Sequence, residues 1–344
     1  MDMKIAVLGG AGLIGRVIST ELVKRGHTVT VMDLVKPEFN VGDFVKVDLK
    51  EVSETAERLK GFDFVVNSAQ YYFNLDAMKA SLKAGVNYVD LGGLFWMTRK
   101  QLEMDKDFER EGLLALIGMG AEPGVTNVMA SKVKEMYGVP LEIHLRDGWK
   151  SSLENFNWSV DTQLDEATMD APIWDGEMKF LPPFSVSEEV NFSIGKIKTY
   201  LTIHSELATF PYTFPGVTKV DWMEGGTGFE CVLLLGKLFG KDRGVLKDAL
   251  RRNGLIGYRG VTPDEVEAAK ISFVYENRKV ISEFVSFPRG EFDGTQFVTG
   301  ISPVIALEMG LKGEGVLPPE KVISPDPFLD SLRREGIEVS FRTL

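Results

Sequence analysis

Seven residues into the chain, the run VLGGAGLIGR sets Gly10, Gly12 and Gly15 at G-x-G-x-x-G spacing between a strand-like KIAVL and a segment of helical periodicity. A strand that feeds a helix through such a turn brings the first amides of that helix, here around Leu13 and Ile14, to a ligand diphosphate. The first glycine serves the tight turn, the second the close approach of backbone to phosphate, and the third the packing of helix on strand. Asp33 ends the next strand, VTVMD, 18 residues beyond Gly15, where a carboxylate can accept hydrogen bonds from ribose hydroxyls. This arrangement commits the N-terminus to an α/β layer with a parallel sheet.

The next hundred residues keep that rhythm. Short Val-, Ile- and Leu-rich runs near 4–8, 28–33, 44–47, 63–67, 87–90 and 113–117 alternate with helix candidates at 13–25, 52–60, 71–84 and 98–110, and another starts near Gly124. The expected fold class is α/β, a doubly wound Rossmann sheet, followed by a second α+β domain whose sheet is largely antiparallel. That second sheet is expected from LEIHLRDGW, KIKTYLTIH, FECVLLLG, ISFVYE and KVISEFVSF, which follow one another with few crossover helices. Two helical patterns accompany them, DRGVLKDALRRNG and QFVTGISPVIALEMGL, the latter despite Pro303, whereas 150–195 reads as a long irregular segment. The domain boundaries expected are 1–125 for the nucleotide domain, completed by about 305–344, and 126–304 for a substrate and dimerisation domain inserted into it.

Composition narrows the function. A formal net charge of −11 over 344 residues disfavours nucleic acid and anionic membranes as partners. The lone Cys231, in an apolar run read as a strand, excludes an internal disulfide or a multi-cysteine metal site and is expected to be a buried, inert thiol. No metal site is expected. With no signal segment and no apolar stretch near the ~20 residues of a membrane span, the expected location is cytoplasmic.

Ligands of open parallel sheets bind at the carboxyl ends of the strands. There the sequence puts Asp48 after strand three and Ser68, Ala69 and Gln70 after strand four, with Asp90 and Gly92 after strand five. After strand six comes GMGAEPGVTN, in which Glu122 precedes Pro123 and Gly124 as a helix begins. Asp33 favours NAD over NADP through repulsion of a 2′-phosphate, and Lys36, which can soften that repulsion, keeps NADP possible. Asp48 suits either the adenine edge or the surface.

NSAQYYFN, AGVNYVDLGG and LLALIGMGAEPGVTNVMA together resemble the saccharopine dehydrogenase family over residues 1–135. Farther on, NWS at 157–159, FPG at 214–216, FVTG at 297–300 and VLPPE at 316–320 resemble its shorter, lysine 6-dehydrogenase-like members. The resemblance implies an NAD(P)-dependent oxidoreductase that transfers hydride at a C–N bond of an amino acid such as lysine or saccharopine. The family also includes carboxyspermidine-type dehydrogenases. The chain departs from the lysine 6-dehydrogenases at HLRDGWK, which stands where they carry a Gly-Gly-Leu-Pro turn, so the substrate does not transfer with the resemblance. A homodimer is implied as well, and the open edges of an antiparallel sheet agree with it.

Oxidation of an amine needs a neutral nitrogen, a positioned nicotinamide and a route for the proton. Glu122 is placed to bind an ammonium or relay a proton, or else to cap the following helix. Asp90 suits either the substrate side or the bracing of its loop. His204, closing KIKTYLTIH, has the pKa range for proton transfer, although a lone strand histidine is often structural. Trp158 and Ser159, carried by the NWS match, are candidates to wall the substrate pocket, and Thr299 to reach it with a hydroxyl. Arg146 suits a substrate carboxylate and Asp147 an ammonium, or the two form an ion pair. Tyr275 and Lys279 spell Y-x-x-x-K, the pair of short-chain dehydrogenases, but SFVYENRKVISEF reads as two strands and a turn rather than the helix that pair requires. The competing reading is a nucleotide-binding sensor that has lost its chemistry.

Overall fold

The computed structural model describes residues 2–152, 156, 158–255 and 263–344. Contacts divide the chain into two compact units, Met1–Val128 with Val298–Phe328, and Met129–Phe297 with Leu329–Leu344.

The first unit contains strands β1 Lys4–Leu8, β2 Thr28–Asp33, β3 Asp43–Lys46, β4 Phe64–Asn67, β5 Asn87–Asp90 and β6 Leu114–Leu116. With the late strand Gly315–Leu317 they form a parallel sheet in which β1 lies between β4 and β2, and Gly315–Leu317 pairs with β6. Ile5 to Leu8 and Val65 and Val66 are wholly buried, as expected of strands covered on both faces. The covering helices include α1 Leu13–Lys24, α2 Val52–Leu59, α3 Asn74–Ala84, α4 Leu94–Leu102 and α5 Asp105–Arg110. The single helix expected at 98–110 is therefore two, interrupted at Glu103 and Met104. Helix α6, Val125–Tyr137, follows the Glu122 corner.

The second unit is built on β7 Glu142–Lys150, β8 Ala171–Asp175, β9 Met178–Leu181, β10 Ser187–Phe192, β11 Gly195–Leu201, β12 Lys219–Gly226, β13 Val266–Val274 and β14 Lys279–Ser286. Its helices include most of α6, with α7 Val160–Thr168, the single turn α8 Phe210–Thr213, α9 Phe229–Phe239 and α10 Arg243–Arg252. The sheet is mixed: β12 runs parallel to β7, and the other pairs are antiparallel.

Three expectations change. FECVLLLG is helix α9, because its apolar residues recur at helical spacing, with Phe229, Val232 and Gly236 facing inward. Cys231 consequently lies on the outer side and is exposed. Among the described residues, the segment 150–195 holds helix α7 and strands β8, β9 and β10, a pattern that the proline pair at 182–183 and the charges hide. The final strand, Glu338–Thr343, does not return to the first sheet; it pairs antiparallel with β14, and 298–328 alone completes the first unit. Helix α11, Gly294–Glu308, forms around Pro303 as expected. The β13–β14 hairpin turns at 275–278, so Tyr275 lies in the turn and Lys279 opens β14, and the two make no short-chain dehydrogenase pair.

Candidate functional site

In the first unit, the turn after β1 closes with the Gly12 amide donating to the Gly9 carbonyl at 3.0 Å. Gly9, with φ +67°, is the tight-turn glycine, in place of Gly10; a side chain on Gly10 would instead strike Val31. A Cβ on Gly15 would lie 2.6 Å from the Gly9 carbonyl oxygen, so this glycine lets α1 pack against the loop. A Cβ on Gly12 would meet only that oxygen, at 3.2 Å. The space before Gly12 is thus open, and the amides of the first turn of α1, which no carbonyl of their own helix can accept, face it. No acidic residue occupies that turn. A diphosphate fits here by both shape and charge.

The loop opens on a cleft of about 270 Å³ that brings together Gly12, Asp33, Asp48, Ser68, Ala69 and Gln70. Asp33 accepts from the amides of Ala11, at 3.1 Å, and Val35, at 3.3 Å, and so fixes its carboxylate beside the turn. Asp48 accepts from the Lys50 amide at 3.0 Å. The Ser68 hydroxyl donates to the Leu8 carbonyl at 2.8 Å and ties β4 to β1. The wall also includes Gly9, Leu34, Leu49 and Phe73, which the sequence reading missed. Gly9 was legible in the doubled glycine, since Gly9, Gly12 and Gly15 also fall three apart; the apolar wall residues carry no signal beyond adjacency to Asp33, Asp48 and Gln70.

Asp90 takes the bracing role of its two alternatives. It is fully buried and accepts from the amides of Gly92 and Gly118, the Tyr88 hydroxyl and the Gln101 side chain. Burial raises its pKa, against the pull of those four donors. The carboxylate braces the loops after β5 and β6, and Gly92 serves the same brace, its carbonyl accepting from Asn74 Nδ2 at 3.0 Å. At the next corner the Glu122–Pro123 peptide is cis. The Gly124 amide donates to Asn127 Oδ1 at 2.8 Å, and Asn127 in turn donates to Glu320 at 2.7 Å, so Asn127 organises the start of α6. Glu122 is half-buried. A Cβ on Gly120 would come within 3.3 Å of the Thr299 methyl, which places Thr299 against the same corner.

The second unit gathers the remaining candidates, and its sheet treats charge differently on its two faces. Directly paired residues share a face and successive residues alternate. One face carries His144, Arg146, Asp221, Lys270 and Glu283, and on it charges are matched. Arg146 bonds Asp221 at 2.5 Å and Glu188 at 2.9 Å, His144 bonds Asp221 at 2.8 Å and Glu142 at 2.9 Å, and Lys270 lies 3.3 Å from Glu283. Burial pushes Asp221 up, but His144 and Arg146 together outweigh it and hold the carboxyl at about 2. Arg146 is thereby committed to carboxylates of its own chain, which removes it as a receptor for a substrate carboxylate.

The opposite face carries Asp147, Glu224 and Glu267, joined by Glu166 from α7, all buried. Burial raises Glu166 to about 7, against the pull of His204 and of the Trp158 N–H, which donates to it at 3.4 Å. Burial and then the Glu166 charge hold Glu224 well above the usual range, and burial raises Glu267. None of the principal influences on these three groups comes from a lysine or arginine. His204 joins this face, hydrogen-bonded to Glu206 and stacked on Trp222 with ring centroids 3.7 Å apart. Trp158 packs edge-on against Trp149 at 5.0 Å. Ser159, proposed for the pocket wall, is the N-cap of α7, its hydroxyl accepting from the Thr162 amide at 3.3 Å. Asn157 of the NWS run lies outside the described residues. Sequence reasoning missed Glu166, Glu224 and Glu267 because each sits in an ordinary charged context; only the register shows that they converge.

Residues 5–116 match the saccharopine dehydrogenase NADP binding domain. The chain thus carries the nucleotide-binding domain of that family, and the open turn at Gly12 with the cleft beyond it fits an NAD(P) dinucleotide. Over the whole chain, the fold is similar to that of a saccharopine dehydrogenase (L-Glu forming) from Saccharomyces cerevisiae, with a TM-score of 0.73, 16% identity and coverage of 99% of this chain and 100% of the other. Among curated relatives, the carboxyaminopropylagmatine dehydrogenase of Synechocystis sp. is 25% identical, covering 97% of this chain and 96% of the relative. The carboxynorspermidine synthase of Vibrio alginolyticus is 23% identical, covering 80% and 76%. No helix among the described residues is long and apolar enough to cross a membrane.

Proposed function

We propose that this chain transfers hydride at a C–N bond of a carboxylated polyamine, in the oxidising or the reductive direction, in preference to lysine or saccharopine. The observation that carries this reading is the convergence of the buried carboxylates Glu166, Glu224 and Glu267 in the second unit, whose principal influences include no lysine or arginine. Buried carboxylates cost several kcal/mol unless a partner charge meets them, and burial here is tolerated by raised pKa values instead. A polycation entering at these carboxylates supplies positive charge, whereas the opposite face already sets its charges in pairs. The names of the two curated relatives, both carboxylated polyamine enzymes, agree with it.

In the first unit the α1 amides and Asp33 hold and orient the dinucleotide. When bound, the nicotinamide would supply the hydride acceptor or donor for the carbon beside nitrogen. Glu122, half-buried beyond the carboxyl end of β6, takes up the amine proton that must leave as the C–N bond is oxidised. Asp90 keeps that corner in place.

The test is a turnover panel. Carboxynorspermidine, carboxyaminopropylagmatine, lysine and saccharopine are each offered with NAD and NADP while the reduced cofactor is followed by absorbance. The proposal expects kcat/KM for a carboxylated polyamine at least about tenfold above that for lysine or saccharopine, a discrimination of ~1.4 kcal/mol. Equal turnover, or preference for lysine or saccharopine, contradicts it.

A further inference from the structure

A cavity of about 100 Å³ in the second unit has Trp149, Phe156, Trp158, Gln163, Thr227 and Leu250 in its wall, and Trp149 is the cross-strand neighbour of Glu267 on the acidic face. Trp158 joins the two, its ring lining the cavity and its N–H donating to Glu166. Gln163 is only 3% exposed, and its Nε2 has no hydrogen-bond partner among the described residues. A buried amide donor left in that state costs about 1–3 kcal/mol, so a donor held at a cavity wall marks the place of an absent acceptor. Gln163 and Glu166 stand three residues apart on α7, which puts them on one side of the helix with Cβ atoms roughly 5–6 Å apart. A donor that lacks an acceptor and an acid that lacks a strong cation thus sit one helical turn apart.

We propose that this side of α7 is the subsite for an ammonium-carboxylate head group, with the Gln163 amide donating to the carboxylate and Glu166 accepting from the adjacent ammonium. The inference rests on the reading of the substrate as a carboxylated polyamine, and it names the end of that substrate which α7 grips. An α-ammonium and its carboxylate are separated by two bonds' reach, so one hydrogen bond on each side spans the turn. The aromatic walls exclude water around the pair, which strengthens both contacts. The charged groups around Glu166 are His204, Glu224 of β12 and Asp165 of its own helix, and Asp165 is held by Arg243 at 2.6 Å. Because Glu166 titrates at about 7, an arriving ammonium expels part of its proton at neutral pH.

Three matched probes separate the two contacts: L-2,4-diaminobutyrate, its decarboxylated counterpart 1,3-diaminopropane, and 4-aminobutyrate, which lacks the α-ammonium. Calorimetry on the cofactor-saturated protein is expected to show diaminobutyrate bound at least about tenfold more tightly than either counterpart. Gln163→Met, close in volume, lowers diaminobutyrate to the level of diaminopropane and leaves diaminopropane unchanged. Glu166→Gln weakens both diamines and spares 4-aminobutyrate. Titrations at pH 7 in buffers of different ionisation enthalpy show release of roughly half a proton in the parent protein and none in Glu166→Gln. Equal or absent binding of the three probes overturns the subsite, as does Gln163→Met weakening all of them alike or proton release that survives Glu166→Gln. Turnover of a carboxylated polyamine with no discrimination among probes sinks the subsite alone; discrimination without turnover sinks the proposed activity alone.

Discussion

Single residues carry the sharpest consequences, and Glu166 shows how a buried acid reports on its surroundings. Its folded pKa, about 7, lies above the value near 4.3 expected in an unfolded chain. Below the lower value both states are protonated and folding pays no electrostatic penalty. Between the two, folding takes up a proton, so stability declines as pH rises and then levels above 7. Glu166→Gln is therefore expected to flatten the stability profile between about pH 4.5 and 7 and to raise stability at pH 8 by roughly 1–3 kcal/mol, as read by urea unfolding across pH. An unchanged slope would mean that Glu166 is not buried in its ionised form. Asp33 acts on the ligand instead. Its carboxylate is fixed at the cleft by two amides, so Asp33→Asn is expected to shift the NADP-to-NAD affinity ratio toward NADP by about tenfold, ~1.4 kcal/mol, measured by calorimetry with each nucleotide. A ratio that does not move would relieve Asp33 of any part in cofactor choice.

Among the elements, the turn between β1 and α1 was legible in full from glycine spacing and an acid at the end of the second strand, apart from the assignment of the tight turn to Gly10 rather than Gly9. Its geometry separates two kinds of glycine. Gly15→Ala places a methyl 2.6 Å from a carbonyl oxygen and is expected to lower thermal stability by several degrees, whereas Gly12→Ala leaves the melting temperature within a degree or two and weakens nucleotide binding at least about tenfold. Differential scanning calorimetry with and without NAD distinguishes them; equal effects on both properties would refute the division of roles. Helix α9 was misread for a physical reason: an apolar run of eight residues satisfies strand and helix alike, and only its inward-facing Phe229, Val232 and Gly236 decide. Asp90 was left open between substrate and brace because position at the carboxyl edge of a parallel sheet predicts proximity to ligand, while direction depends on donors distant in sequence, above all Gln101 and Gly118.

At the scale of the whole molecule, the first unit follows from local rules and the second does not. A parallel sheet announces itself through repeated strand and helix periods, each readable in isolation. The second unit depends on register between strands far apart in the chain: β7 pairs with β12 and β13, and these place Asp147, Glu224 and Glu267 on one face while Arg146 and Asp221 occupy the other. No spacing in the sequence shows that one face sets its charges in pairs while the other gathers carboxylates. The proposed function assigns a hydride carrier to the first unit and recognition of a polycation to the second. The most direct measurement of that claim uses carboxynorspermidine deuterated at the carbons flanking its secondary nitrogen, with oxidised NAD(P) and mass analysis of the reduced cofactor. The account predicts one deuterium in each molecule of reduced cofactor; reduced cofactor without deuterium, or none formed, would contradict it.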